Sequence, residues 1–151
     1  MYKRILVPVD GSPTSRRGLA EAISLAREAK GKLRVLHVID EPFTALGLDG
    51  FCGAAGDILN LLRENAQRIV DDAVHEAKAA GVDADSAIED GLEGRLFELA
   101  AQQARRWDAD LIVIGTHGRR GINRTLLGSD AELILRDSPV PVLLVRGGAP
   151  R

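Results

Sequence analysis

The chain has 151 residues, 45% of them hydrophobic, enough for one globular domain with a substantial core, and we expect a single domain over 1–151. Twenty Lys and Arg against 22 Asp and Glu leave a formal charge of -2, so there is no electrostatic footprint for duplex nucleic acid or an anionic membrane. Any anionic ligand has to be held by a local site.

The first element is the apolar run Arg4 to Val9, which stops at Asp10-Gly11-Ser12. It is too short for a signal-peptide core or a membrane span, which implies a cytoplasmic chain, and its continuous apolarity suits a strand buried on both faces. Ser12-Pro13 opens a helix carrying Leu19, Ala22, Ile23, Ala26 and Ala29 at three-and-four spacing, and Gly31 stops it. A second strand follows over Leu33 to Ile39. The segment Glu41 to Gly56 holds Pro42, Phe43, Phe51 and four glycines and reads as a long loop that could act as a flap over a site. Within it, Cys52 reads as a small apolar loop residue: a lone cysteine supports neither a disulfide framework nor a zinc site.

Ile58, Leu61, Leu62, Ala66, Ile69, Val70, Ala73 and Ala77 give a long second helix ending near Gly81, and the looser alternation from Val82 to Ile88 suits a half-buried edge strand. Leu96, Leu99, Ala100, Gln103 and Ala104 mark a third helix, and Leu111 to Ile114 a fourth buried strand ending at Gly115. Ser129-x-x-Glu132 has capping-box spacing at the start of a fourth helix, stopped by Ser138-Pro139, and Val140 to Val145 forms a fifth strand. Strand and helix alternate throughout, which implies right-handed crossovers and an α/β fold, a parallel sheet with helices on both faces.

Ligands of such sheets sit beyond the carboxyl ends of the strands where the winding reverses. Asp10 and Gly115 both stand at strand ends. Between Gly115 and the fourth helix lies GTHGRRGINRTLLGS, in which Gly115 and Gly118 admit positive φ and keep a Cβ out of a ligand's path, and Gly128-Ser129 places exposed amides at a helix start, where anions bind. Other phosphate motifs are absent: Gly31-Lys32 is followed by Leu33, so there is no P-loop, and no Gly-x-Gly-x-x-Gly follows the first strand. No hydroxyl and base are spaced to form a nucleophilic pair, so His117 reads as a loop residue and His37 and His75 as structural ones.

Together, Gly115-x2-Gly118-x9-Gly128-Ser129, Ile5 to Ser12, His37 to Asp40 and Pro139 to Val145 resemble the universal stress protein family, ATP-binding type, over nearly the whole chain. The resemblance implies a five-stranded sheet in the order 3-2-1-4-5, Rossmann-like and related to the adenine nucleotide α-hydrolases. It implies ATP as cofactor with Mg²⁺ or Mn²⁺, Asp10 at the ribose or as ligand of the phosphate-bound metal, and the Val38 backbone at the adenine edge. Pro8 and Val9 would line the pocket, while Gly115, Gly118, Gly128 and Ser129 would hold ribose and phosphates. Asp130 departs from the small or apolar residue usual after Gly-Ser; an acid there repels phosphate unless it points away or holds a metal, and Arg119, Arg120 and Arg124 would offset it.

The function implied is a nucleotide-binding regulator in stress response, with an unknown protein partner, at most slow ATP hydrolysis, and a homodimer joined through Val140 to Val145. Two other classes stand beside it. An adenine-nucleotide enzyme needs Ser-Gly-Gly-x-Asp-Ser or His-x-Gly-His, and neither occurs. A scaffold of the same fold could bind partners without ATP, or bind another ligand such as a cyclic nucleotide.

Overall fold

A computed structural model describes residues 2–39, 52–91, 95–116 and 129–147. In chain order the elements are β1 (Arg4–Pro8), α1 (Pro13–Ala29), β2 (Lys32–Ile39), α2 (Cys52–Ala79), β3 (Asp83–Asp90), α3 (Leu96–Arg106), β4 (Leu111–Thr116), α4 (Ser129–Asp137) and β5 (Val142–Arg146). The five strands form one parallel sheet in the order β3-β2-β1-β4-β5, the order the resemblance implies.

The central strand shows why its sequence is apolar without a break. Ile5, Val7 and Val9 face α1 and α2 and join Leu19, Ala22, Val70 and Ala73 in one core. Leu6 faces the other way, with Leu36, Ile112 and Ile114 against Ala100, Ala104, Trp107 and Ile134 of the α3 and α4 side. Ile5, Leu6 and Val7 are fully buried, each contributing about 1.5–3 kcal/mol relative to exposure. β3 at the edge buries only Ala84 fully among its own residues. Its outer rim is charged, with Lys32–Asp83 at 3.0 Å and Arg34–Asp85 at 2.6 Å, a composition that discourages further strand pairing.

Several boundaries differ from the sequence-based expectation. α2 begins at Cys52, so Cys52 is the first residue of a helix and the last turn and a half of the expected Glu41 to Gly56 loop is helical; 40–51 lie outside the described residues. Glycines in a helix cost about 1 kcal/mol each, and that weak preference yields here to the favourable Ala54-Ala55 pair and the continuing helix. β5 starts at Val142 because the Ser138 hydroxyl bonds both the carbonyl (2.6 Å) and amide (3.2 Å) of Val140, holding it in a turn. At the end of α1 the left-handed residue is Lys30 (φ 50°), not the glycine. Gly31 is required for another reason: a Cβ there would lie 2.8 Å from the Lys3 carbonyl oxygen.

The carboxyl-end site around Asp10

β1 runs upward to Pro8, and Val9 then extends its pairing by one bond, its amide donating to the Leu36 carbonyl at 2.8 Å. The Val9 carbonyl meets His37 Nδ1 at 2.8 Å; since a carbonyl only accepts, Nδ1 carries the proton. Asp10 follows, and Gly11 turns the chain at φ 80°, a left-handed conformation that suits glycine. The turn closes on itself. Asp10 Oδ1 accepts from the Ser12 amide at 2.8 Å, Ser12 Oγ accepts from the Ser15 amide at 3.1 Å as the cap of α1, and Ser15 Oγ donates to the Ser12 carbonyl at 3.0 Å while accepting from the Asp10 amide at 3.3 Å.

This frame stabilises the charged form of Asp10. Partial burial alone would raise its pKa, but the Ser12 hydroxyl and amide and the Ser15 hydroxyl outweigh it, and the carboxyl is held below its ordinary value. Asp10 is therefore an ionised, exposed carboxylate at neutral pH, with no cation paired to it among the described residues.

β4 ends against the same turn. β1 and β4 are neighbours, with Leu6 opposite Ile112, and α1 leaves β1 on one face while α4 follows β4 on the other, so the winding reverses between them. Gly115 fits there because α1 leaves no space: a Cβ on it would lie 2.0 Å from the Thr14 carbonyl oxygen, and one on Gly18 would lie 2.7 Å from the Gly115 amide. The expectation that Gly115 serves by positive φ is corrected, because its φ lies outside that region and its lack of a side chain is used by the α1–β4 approach. The start of the glycine loop is thereby pressed onto the turn that carries Asp10.

Pro8, Val9, Asp10 and Gly115 are thus brought together, and Val38 stands at the end of β2, two residues beyond Leu36, the register partner of Pro8. Val38 packs on the α3 and α4 face, where its neighbour in register is Glu89. Ser129 and Asp130 are the first two residues of α4, so the helix begins one residue earlier than the Ser129-x-x-Glu132 capping-box spacing implies. Gly118, Arg119 and Gly128 lie outside the described residues, as do His117, Arg120 and Arg124. Among the described residues no three His, Cys, Asp or Glu converge on one point, so Asp10 is the one carboxylate of this turn that a metal could meet.

The sequence reading missed Ser15, Gly18 and the positioning role of His37. Ser12-x-x-Ser15 was a readable signal for the first. The other two depend on contacts between distant segments.

A model of the universal stress protein family matches residues 1–146. The chain belongs to that family. Universal stress protein MJ0531 of Methanocaldococcus jannaschii is 34% identical over 147 residues, covering 97% of this chain and 83% of the relative. Among solved structures, hypothetical protein MJ0577 superposes with a TM-score of 0.80 at 27% identity over 99% of both chains. A universal stress protein in complex with cAMP superposes with a TM-score of 0.68 at 25% identity, covering 96% of this chain and 97% of that one. No helix among the described residues of this universal stress protein is long and apolar enough to cross a membrane.

Proposed function

We propose that this universal stress protein is a nucleotide-binding regulatory module that takes ATP with Mg²⁺ or Mn²⁺ beyond the carboxyl ends of β1, β2 and β4. The observation that carries the reading is the ionised Asp10, fixed by Ser12 and Ser15 at the end of β1, beside the first turn of α1 that Gly115 of β4 packs against where the winding reverses. Asp10 would hold the phosphate-bound metal or the ribose, and Val38 the adenine edge. Pro8 and Val9 would line the pocket, with Gly115, Gly118, Arg119, Gly128, Ser129 and Asp130 around the ribose and phosphates. The solved relative holding cAMP supports a nucleotide in this fold. It also favours a cyclic nucleotide as the second reading.

Phosphoryl transfer needs a placed nucleophile and charge-stabilising groups besides a metal, and the reading takes any hydrolysis as slow at most. Bound ligand acts by changing the surface offered to a protein partner in stress response. A homodimer through the edge strand β5 is part of the reading, supported by exposed Leu143 on that strand and Leu135 on α4. Sedimentation should give a dimer at micromolar protein. Mass spectrometry of small molecules released from purified protein should find an adenine nucleotide, and titration with ATP, AMP and cAMP should rank them. Absence of any bound nucleotide, with no binding of the three at millimolar ligand, would leave a scaffold of the same fold.

A further inference from the structure

We propose that the cleft between α1 and α2 is a second ligand site, built for a compact zwitterion the size of a free aliphatic amino acid. It shares Val9 and the Asp10 turn with the nucleotide reading, but its charged groups stand on α1 and α2 and have no part in that reading. A cavity of about 270 Å³ opens beside Gly11, and its floor is apolar, made by Val9, Leu19 and Ile69. Its rim is charged with both signs: Arg16 from α1, and Asp72 and Glu76 one turn apart on α2.

The three charges share one small cavity and are exposed, yet among the described residues none of them forms an ion pair. Elsewhere on this surface opposite charges do pair, as in Lys32–Asp83 and Arg34–Asp85. Here the cleft holds the charges apart. Two acids four residues apart on a helix repel each other, so an ammonium group near them relieves a cost already present in the empty cleft. Arg16 on the facing helix then takes a carboxylate, and the floor takes an aliphatic side chain.

Size and charge separate this ligand from a nucleotide. The volume is below the range of about 300–1,000 Å³ of pockets for drug-sized ligands. Two carboxylates on one wall also repel phosphate. The cleft nevertheless touches the Asp10 turn, because Ser15 lines it and its hydroxyl binds the Asp10 amide. Occupancy therefore presses on the anchor of Asp10.

The test is a titration of the ¹⁵N-labelled full chain with L-leucine, isopentylamine and 4-methylpentanoate, which share a branched tail and carry both charges, the cation or the anion. L-leucine should shift the amides of Gly11, Ser15 and Ile69 saturably, and each single-charge analogue should bind about fivefold more weakly, the upper end for an exposed ion pair. Arg16→Gln, an exposed change that leaves the fold intact, should reduce L-leucine to the level of the amine. Asp72→Asn with Glu76→Gln should reduce it to that of the acid, and Ile69→Trp should fill the cleft and abolish all three. The proposal is overturned if no amide shifts at roughly 10 mM ligand. It is equally overturned if the three compounds bind alike, or if Arg16→Gln leaves the L-leucine titration unchanged. ATP titration is a separate readout, so either result stands without the other.

Discussion

The amino rim of the sheet and the Asp10 turn use their charged residues differently. At the amino rim several charged residues are closed on a neighbour. Asp110 accepts the amides of Lys3 (2.7 Å) and Arg4 (3.0 Å), Arg4 Nε donates to the Trp107 carbonyl at 2.7 Å, and the guanidinium groups of Arg4 and Arg34 lie 4.5 and 4.8 Å from the centre of the Trp107 ring. Arg34 is in turn held by both oxygens of Asp85 at 2.7 and 2.6 Å. At the carboxyl rim Asp10 is held ionised by serines alone and faces no cation among the described residues. The amino rim fastens the strands together, and the carboxyl rim keeps a charge available for something outside the chain.

Mutations at the two rims should therefore separate stability from binding. The largest effect is expected at the amino rim: Trp107→Ala removes a buried ring and both stacked arginines and should cost about 3–5 kcal/mol in urea denaturation. A loss under about 1 kcal/mol would remove the fastening role from this rim. Next, Gly115→Val forces a side chain into the Thr14 backbone and should cost about 3 kcal/mol, whereas Gly56→Ala, with open space around it in α2, should raise stability by about 0.5–1 kcal/mol. Equal costs at the two glycines would contradict the packing account of Gly115.

Asp110→Asn replaces an oxygen with an NH₂ group facing an amide and should cost about 1–2 kcal/mol, with ligand binding unchanged in the folded protein. The smallest stability effect belongs to Asp10→Asn and depends on pH. Because the Asp10 pKa is lowered from 3.8, its contribution is complete above that value and drains away as pH falls through the lower folded value. The stability difference between wild type and Asp10→Asn should stay constant from roughly pH 5 to 8 and shrink only below about pH 4, as followed by thermal melts.

Much of the carboxyl rim was legible because its pieces are local. A strand ending in Asp10-Gly11-Ser12-Pro13, and another ending in Gly115, carry their structural meaning within a few residues of sequence. The amino rim was not legible, since Arg4, Arg34, Asp85 and Trp107 are brought together only by the sheet order and none has a local pattern that pairs it with the others. The same limit applies to Gly18, whose partner Gly115 lies on another element, and to the start of α2, where a modest glycine cost was read as a loop. The roles proposed for Gly118, Arg119 and Gly128 rest on the family pattern; Pro8, Val9, Asp10 and Gly115 stand at the carboxyl ends of the neighbouring strands β1 and β4.

The most direct test of the account is calorimetric titration of wild type and Asp10→Asn with ATP and Mg²⁺ at neutral pH. The account predicts saturable binding by wild type and at least about tenfold weaker binding by Asp10→Asn, a difference of ~1.4 kcal/mol, with the melting temperature of Asp10→Asn lowered only slightly. Equal affinity of the two proteins, or no binding by wild type at millimolar ATP, would contradict it.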